Sequence, residues 1–184
     1  MKIQDIYKQS KDKSLGNDSA RRLLSALNDY IWTFEENPKV DRFTGMNASN
    51  AILAYRNLYQ NYSSLKAEVA RQGENIRWVI KHYTRFFNAQ GIANTLNAMA
   101  KLGLSVEGLE KILRSAVSRN AQYFNAQNIA NTLNAMARLG LADQTLISNL
   151  LRSSQSMRLD DINCLQVYHA AYWARYVWKM AMDE

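Results

Sequence analysis

The chain has 184 residues, 47% of them hydrophobic, and a formal net charge of +7, enough length for a core of its own. One proline and seven glycines favour helices over a strand-rich fold, and no run of about 18 apolar residues offers a membrane span. A single cysteine, Cys164, excludes an internal disulfide and a multi-cysteine zinc site, and fits a reducing compartment.

The first residues, MKIQDIYKQSKDKSLGNDS, are polar and lack the apolar centre of a secretory signal. Residues 1–17 are therefore expected to be a disordered leader or the remnant of a tag. Residues 18–184 read as a single domain. Its N-terminal cap (18–45) carries a helix from Ser19 to Glu35 that stops before Pro38. A degenerate helical hairpin follows (46–86). Met46 to Gln60 forms its first helix, and Ile76, Val79, Ile80 and Tyr83 give the apolar face of the second.

The next two segments are near copies. FNAQGIANTLNAMAKLGL starts at Phe87 and FNAQNIANTLNAMARLGL at Phe124; they agree at 16 of 18 positions with starts 37 residues apart. At about 100° per residue, Ile92, Ala93, Leu96, Met99 and Ala100 fall on one side of a helix, and Gln90, Asn94, Asn97 and Lys101 on the other. The second copy sets Ile129, Leu133 and Met136 against Gln127, Asn131, Asn134 and Arg138. Asn88 and Asn125 have the position of N-caps, and Phe87/Ile92 and Phe124/Ile129 the spacing of a hydrophobic staple. Gly103 and Gly140 suit the left-handed turn that ends a helix. A second helix follows each copy: after Ser105, which has the position of a cap, Val106, Leu109, Ile112, Leu113, Ala116 and Val117 form a stripe; after its equivalent Asp143, Leu146, Ile147, Leu150 and Leu151 do so. Each unit (87–123 and 124–157) is a helical hairpin of about 37 residues that cannot bury its apolar faces without a neighbour. The expected fold is all-α: a short right-handed α-solenoid of stacked hairpins with atypical capping helices, the last over 158–184.

The phrase FNAQNIANTLNAMARLG resembles the helical-hairpin repeats of octotricopeptide and heptatricopeptide type, including those of FAST-kinase-like and RAP-domain proteins. Similar repeats occur in effectors of host-associated bacteria. Phe124, Asn125, Gln127, Ile129, Asn131, Thr132, Leu133, Ala135, Ala137, Leu139 and Gly140 carry the likeness, with their partners in the first copy. It covers residues 87 to about 151, and DDINCLQVYHAAYWA is loosely similar to the closing helix of such arrays. The resemblance implies an α-solenoid that binds RNA, as such proteins often do in organelles. Many such repeats have an aromatic where this chain has Asn97 and Asn134, and the RAP domain and its nuclease-like fold are not part of the likeness.

The excess charge is local: +2 over residues 1–63, +5 over 64–120 and 0 over 121–184. A basic field with an amide-lined stripe suits single-stranded RNA, whose base edges meet amides while Lys101, Lys111, Arg114 and Arg138 meet phosphates. The other reading of Asn94, Asn97, Asn131 and Asn134 is a structural ladder of buried amides bonded between stacked helices. Near-identity of the copies favours the ladder, since a base code needs variation between repeats. The copies differ at Gly91/Asn128 and, with charge preserved, at Lys101/Arg138; Gly91 and Asn128, beside the stripe, are the candidates for a discriminating position. No aromatic stacking platform is evident on the stripe.

His82 and His169 have no metal-ligand or triad spacing, Cys164 and His169 fall on different sides of a helix, and Cys164 is expected to be a buried thiol. Asp160 and Asp161 read as the acidic start of a helix. No enzyme, metal or cofactor is expected. The segment RLDDINCLQVYHAAYWARYVWKM reads as one long helix, mostly core, with Tyr168, Tyr172 and Tyr176 on one side; any exposed part would mark a partner surface or self-association. The function expected is a non-catalytic binding module for single-stranded RNA in the cytoplasm. The alternative is a protein-interaction scaffold, such as an effector secreted into a host cell to dock a host protein.

Overall fold

The computed structural model describes residues 1–36, 45–158, 160–177 and 179, and among them every regular element is helical. The chain forms two compact units, residues 1–87 and 88–184.

The first unit is built around one helix. Helices α1 (Ile3–Ser10), α2 (Asn17–Glu36), α4 (Lys66–Ala70) and α5 (Gly73–Tyr83) all pack on α3 (Gly45–Asn61). Helix α3 is short of charge and rich in small residues, so it is buried on most of its circumference, with Ala48, Ala51, Ile52, Ala54, Tyr55 and Leu58 inaccessible. Its first residue, Gly45, lies against the main chain of Phe86, whose carbonyl a Cβ would overlap. The buried Tyr55 hydroxyl donates to Asn28 Oδ1 at 2.6 Å. Pro38 lies outside the described residues.

The supposed leader is partly structured. Ile3 and Ile6 of α1 are buried, and the end of α1 is fastened to α3 by polar groups. The buried Asn57 amide donates to Ser10 Oγ at 3.0 Å and accepts from Arg56, Asn61 donates to the Ser10 carbonyl, and the Tyr62 hydroxyl donates to the Asp12 carbonyl. Two isoleucines one turn apart are too weak a signal to read as a helix alone; the surface of α3 gives them somewhere to go.

The second unit repeats one local plan three times. Helices α6 (Ala89–Leu102), α8 (Ala126–Leu139) and α10 (Asp161–Tyr172) begin with the same cap. Asn88, Asn125 and Asp160 each accept from the backbone N–H three residues on, at 2.8, 2.8 and 2.7 Å. Gly103 and Gly140, both at φ 67°, end α6 and α8, and Leu104 and Leu141 donate back to the Met99 and Met136 carbonyls. Helix α8 packs between α6 and α10, while α7 (Glu110–Asn120) lies on α6 and α9 (Gln144–Gln155) on α8. Asp143 caps α9 through Leu146 N–H at 3.0 Å, and Leu146, Ile147, Leu150 and Leu151 are its buried face. Helix α7 starts later than the expected Ser105 cap, because Gly108 takes φ 73° and interrupts the helical path.

The C-terminal segment differs from one continuous helix: α10 ends at Tyr172 and a π-helical turn spans Trp173–Val177. Its aromatic face is the outer one. The shared cap register turns Asn163, Ala170 and Ala174 inward, so Tyr168, Tyr172 and Tyr176 are exposed rather than core. Cys164 is exposed too, not the buried thiol expected. The side chain of Trp178 lies outside the described residues.

Candidate nucleic-acid interface

Helices α6 and α8 are buried almost all round, because each packs against more than one neighbour. In α6, residues 91–93, 95, 96 and 98–100 are buried; Gln90 is exposed, and Asn94, Asn97 and Lys101 are half-buried. In α8, Gln127 and Arg138 are exposed and Asn131 and Asn134 half-buried. The polar residues thus form the one open line along each helix, at steps of three and four. Gly91 and Asn128, expected to discriminate between ligands, are both buried at the first turn of their helices, beside the cap bond each N–H donates.

Hydrogen bonding separates these amides. Asn134 Oδ1 lies 3.3 Å from His169 Nδ1 on α10, and Trp173 Nε1 donates to His169 Nε2 at 3.0 Å. That assignment places the donating proton of His169 on Nδ1. Among the described residues, Asn94, Asn97 and Asn131 make no side-chain hydrogen bond, so the ladder of amides bonded from helix to helix is not formed there. These three half-buried amides hold no partner within the fold and are open to an external donor or acceptor.

The cations expected to join this line divide between two places. Lys101 and Arg138 sit in the last turns of α6 and α8. Lys111 is exposed on α7, and Arg114 lines a groove of about 440 Å³ between α7 and α9 with Ser115, Ser118, Asp143, Thr145, Leu146 and Asn149. Arg114 Nε is buried there with no hydrogen-bond partner.

The first unit holds a feature the sequence reading passed over. At the end of α5, RWVIKHYTRF interleaves cations and rings. The Trp78 and His82 rings are 4.7 Å apart, with His82 Nδ1 2.8 Å from the Trp78 carbonyl oxygen. Trp78 and Tyr83 are 5.7 Å apart, Tyr83 and Phe86 6.5 Å, and the Arg85 guanidinium lies 4.6 Å from the Phe86 ring centre. Burial raises the Tyr83 phenol above its ordinary range, with Arg85 pulling the other way. Phe86 is 55% exposed. Tyr123, 37 residues later and likewise just before a buried phenylalanine, is also exposed. The interleaving of Arg77, Lys81 and Arg85 with rings was a legible signal for such a platform.

Among the described residues, no group of three His, Cys, Asp or Glu side chains could hold a metal ion, and no helix is long and apolar enough to cross a membrane. Comparison with curated proteins and with solved structures finds no match. The family model described as "Protein of unknown function (DUF1601)" matches residues 78–96 and 104–133, two stretches that take in the aromatic end of α5, α6 as far as Leu96, α7 and the first half of α8.

Proposed function

We propose that this chain is a non-catalytic binding module for single-stranded RNA, and that the helix pairs of its second unit are repeats, about 37 residues long, of a short right-handed α-solenoid. The observation that carries the proposal is the line of half-buried amides at Asn94, Asn97 and Asn131, which have no hydrogen-bond partner within the described residues and lie on helices that end in Lys101 and Arg138. Amides of this kind pair with base edges and cations with phosphates. The rings around Trp78 and Phe86 supply a separate stacking surface in the first unit. Two or three repeats read two or three bases, so affinity rests on phosphate contacts and falls with salt. A single cysteine fits a cytoplasmic, reducing setting.

Fluorescence anisotropy with random single-stranded RNA at two salt concentrations tests this. Binding should weaken steeply with salt, and changing Lys101, Lys111, Arg114 and Arg138 to Ala should lower the affinity and flatten the salt dependence. No binding at low salt would overturn the RNA reading. It would favour instead a protein-docking scaffold, including an effector acting on a host protein, which the exposed apolar face of α10 supports.

A further inference from the structure

Helix α10 repeats the cap and register of α6 and α8 but not their surroundings. Helices α6 and α8 each present an apolar edge to the next helix of the series. Counted from the cap, Leu165, Tyr168 and Tyr172 of α10 stand where α6 has the buried Ala93, Leu96 and Ala100 and α8 the buried Ala130, Leu133 and Ala137; with Ile162 and Tyr176 they form an edge between 49 and 71% exposed. At about 100° per residue, Leu165, Tyr168 and Tyr172 fall within roughly a sixth of the circumference. The π-helical turn keeps Tyr176 in line, its ring 5.0 Å from that of Tyr172. A contiguous apolar face of this size on a surface helix marks an interface, and its tyrosines suit one that is exposed part of the time.

Charge identifies the occupant. The helix opens on exposed Asp160 and Asp161, and the π-helical turn that continues it carries exposed Arg175, whose guanidinium lies 6.0 Å from the Tyr176 ring centre. Asp161 and Arg175 stand seven residues before and after Tyr168, roughly 10 Å each way along the axis. A two-fold axis passing at Tyr168 would therefore lay α10 antiparallel on its copy. Each Asp161 would fall opposite Arg175 of the partner subunit, and Leu165 near Tyr172 of the partner subunit. A parallel pairing would oppose like charges at both ends. We infer that the exposed face of α10 is a self-complementary surface on which two copies of this chain associate antiparallel, with Tyr168 at the two-fold. The inference does not depend on RNA binding. One helix pair buries less than the roughly 1,200–2,000 Å² of stable complexes, so the dimer should be weak and concentration-dependent.

Sedimentation velocity of the full chain over a wide concentration range should show a monomer–dimer equilibrium. Tyr168→Glu should abolish it with unchanged circular dichroism. Asp161→Arg and Arg175→Asp should each weaken it at least several-fold, and their combination should restore it. In a Cys164→Ser background, Tyr168→Cys should form a disulfide-linked dimer on mild oxidation. A chain that stays monomeric throughout, or a dimer untouched by Tyr168→Glu, overturns the proposal. A dimer whose double charge swap fails to recover and whose Tyr168→Cys does not cross-link overturns the antiparallel geometry.

Discussion

Asn134 Oδ1 meets His169 Nδ1 at 3.3 Å, joining α8 to α10, whereas Asn97, at the same register one helix earlier, makes no side-chain hydrogen bond among the described residues. The two asparagines are identical in sequence context and different in role. Asn134→Ala should lower stability by about 1 kcal/mol, and Asn97→Ala should change it by less than about 0.5 kcal/mol. Chemical denaturation of both variants checks the contrast, and equal losses would contradict it.

Thr95 and Thr132 occupy the same position in α6 and α8, both fully buried, each with an Oγ1 that has no hydrogen-bond partner. A buried hydroxyl without a partner costs about 1–3 kcal/mol, and valine has nearly the same shape. Thr95→Val and Thr132→Val should each raise the melting temperature. A lowered melting temperature would show that the hydroxyls are satisfied in solution.

Gly45 packs on the main chain of Phe86, which cannot swing aside as a side chain does. Gly45→Ala should destabilise the first unit by about 1–3 kcal/mol, since overpacking against backbone forces a helix to shift. Hydrogen exchange should locate the loss in α3 and α5. Protection equal to the parent chain in both helices would contradict the packing.

Burial of the Tyr55 phenol raises it above its ordinary value of about 10, and a side-chain bond from Asn75 offsets this in part. The folded form therefore holds the proton more tightly than the unfolded form. This stability is fully present below about pH 10 and is lost as pH rises toward the folded value. Tyr55→Phe should blunt the alkaline loss of stability while costing about 1 kcal/mol at neutral pH through the lost bond to Asn28. Denaturation midpoints at neutral and high pH measure both.

The features legible in the sequence were those decided within a turn or two of chain. The caps at Asn88, Asn125 and Asp143, the glycine terminations at Gly103 and Gly140 and the buried face of α9 are of this kind. The stripe at Gln90, Asn94, Asn97 and Lys101 is the open line of α6, because the same periodicity that gathers apolar residues gathers the polar ones. Other features depended on distant surfaces. Helix α1 forms around two isoleucines only because α3 receives them, and Ser10, Asn57, Asn61 and Tyr62 meet across about fifty residues of chain. The aromatic face of α10 carries an apolar pattern in either orientation; its direction is set by the Asp160 cap and the small buried residues Ala170 and Ala174. Whether amides bond to each other or stand open also depends on side-chain position between helices, which near-identity of the repeats does not encode.

The most direct test of the proposed role is a paired measurement on Asn94→Ala, Asn131→Ala and the double variant: RNA affinity by anisotropy at low salt, and melting temperature by circular dichroism. If these amides serve a ligand, the double variant should bind several-fold more weakly while its melting temperature stays within about 2 °C of the parent, as expected for side chains that hold nothing within the fold. A lowered melting temperature with unchanged RNA affinity would contradict that role and make the amides part of the packing.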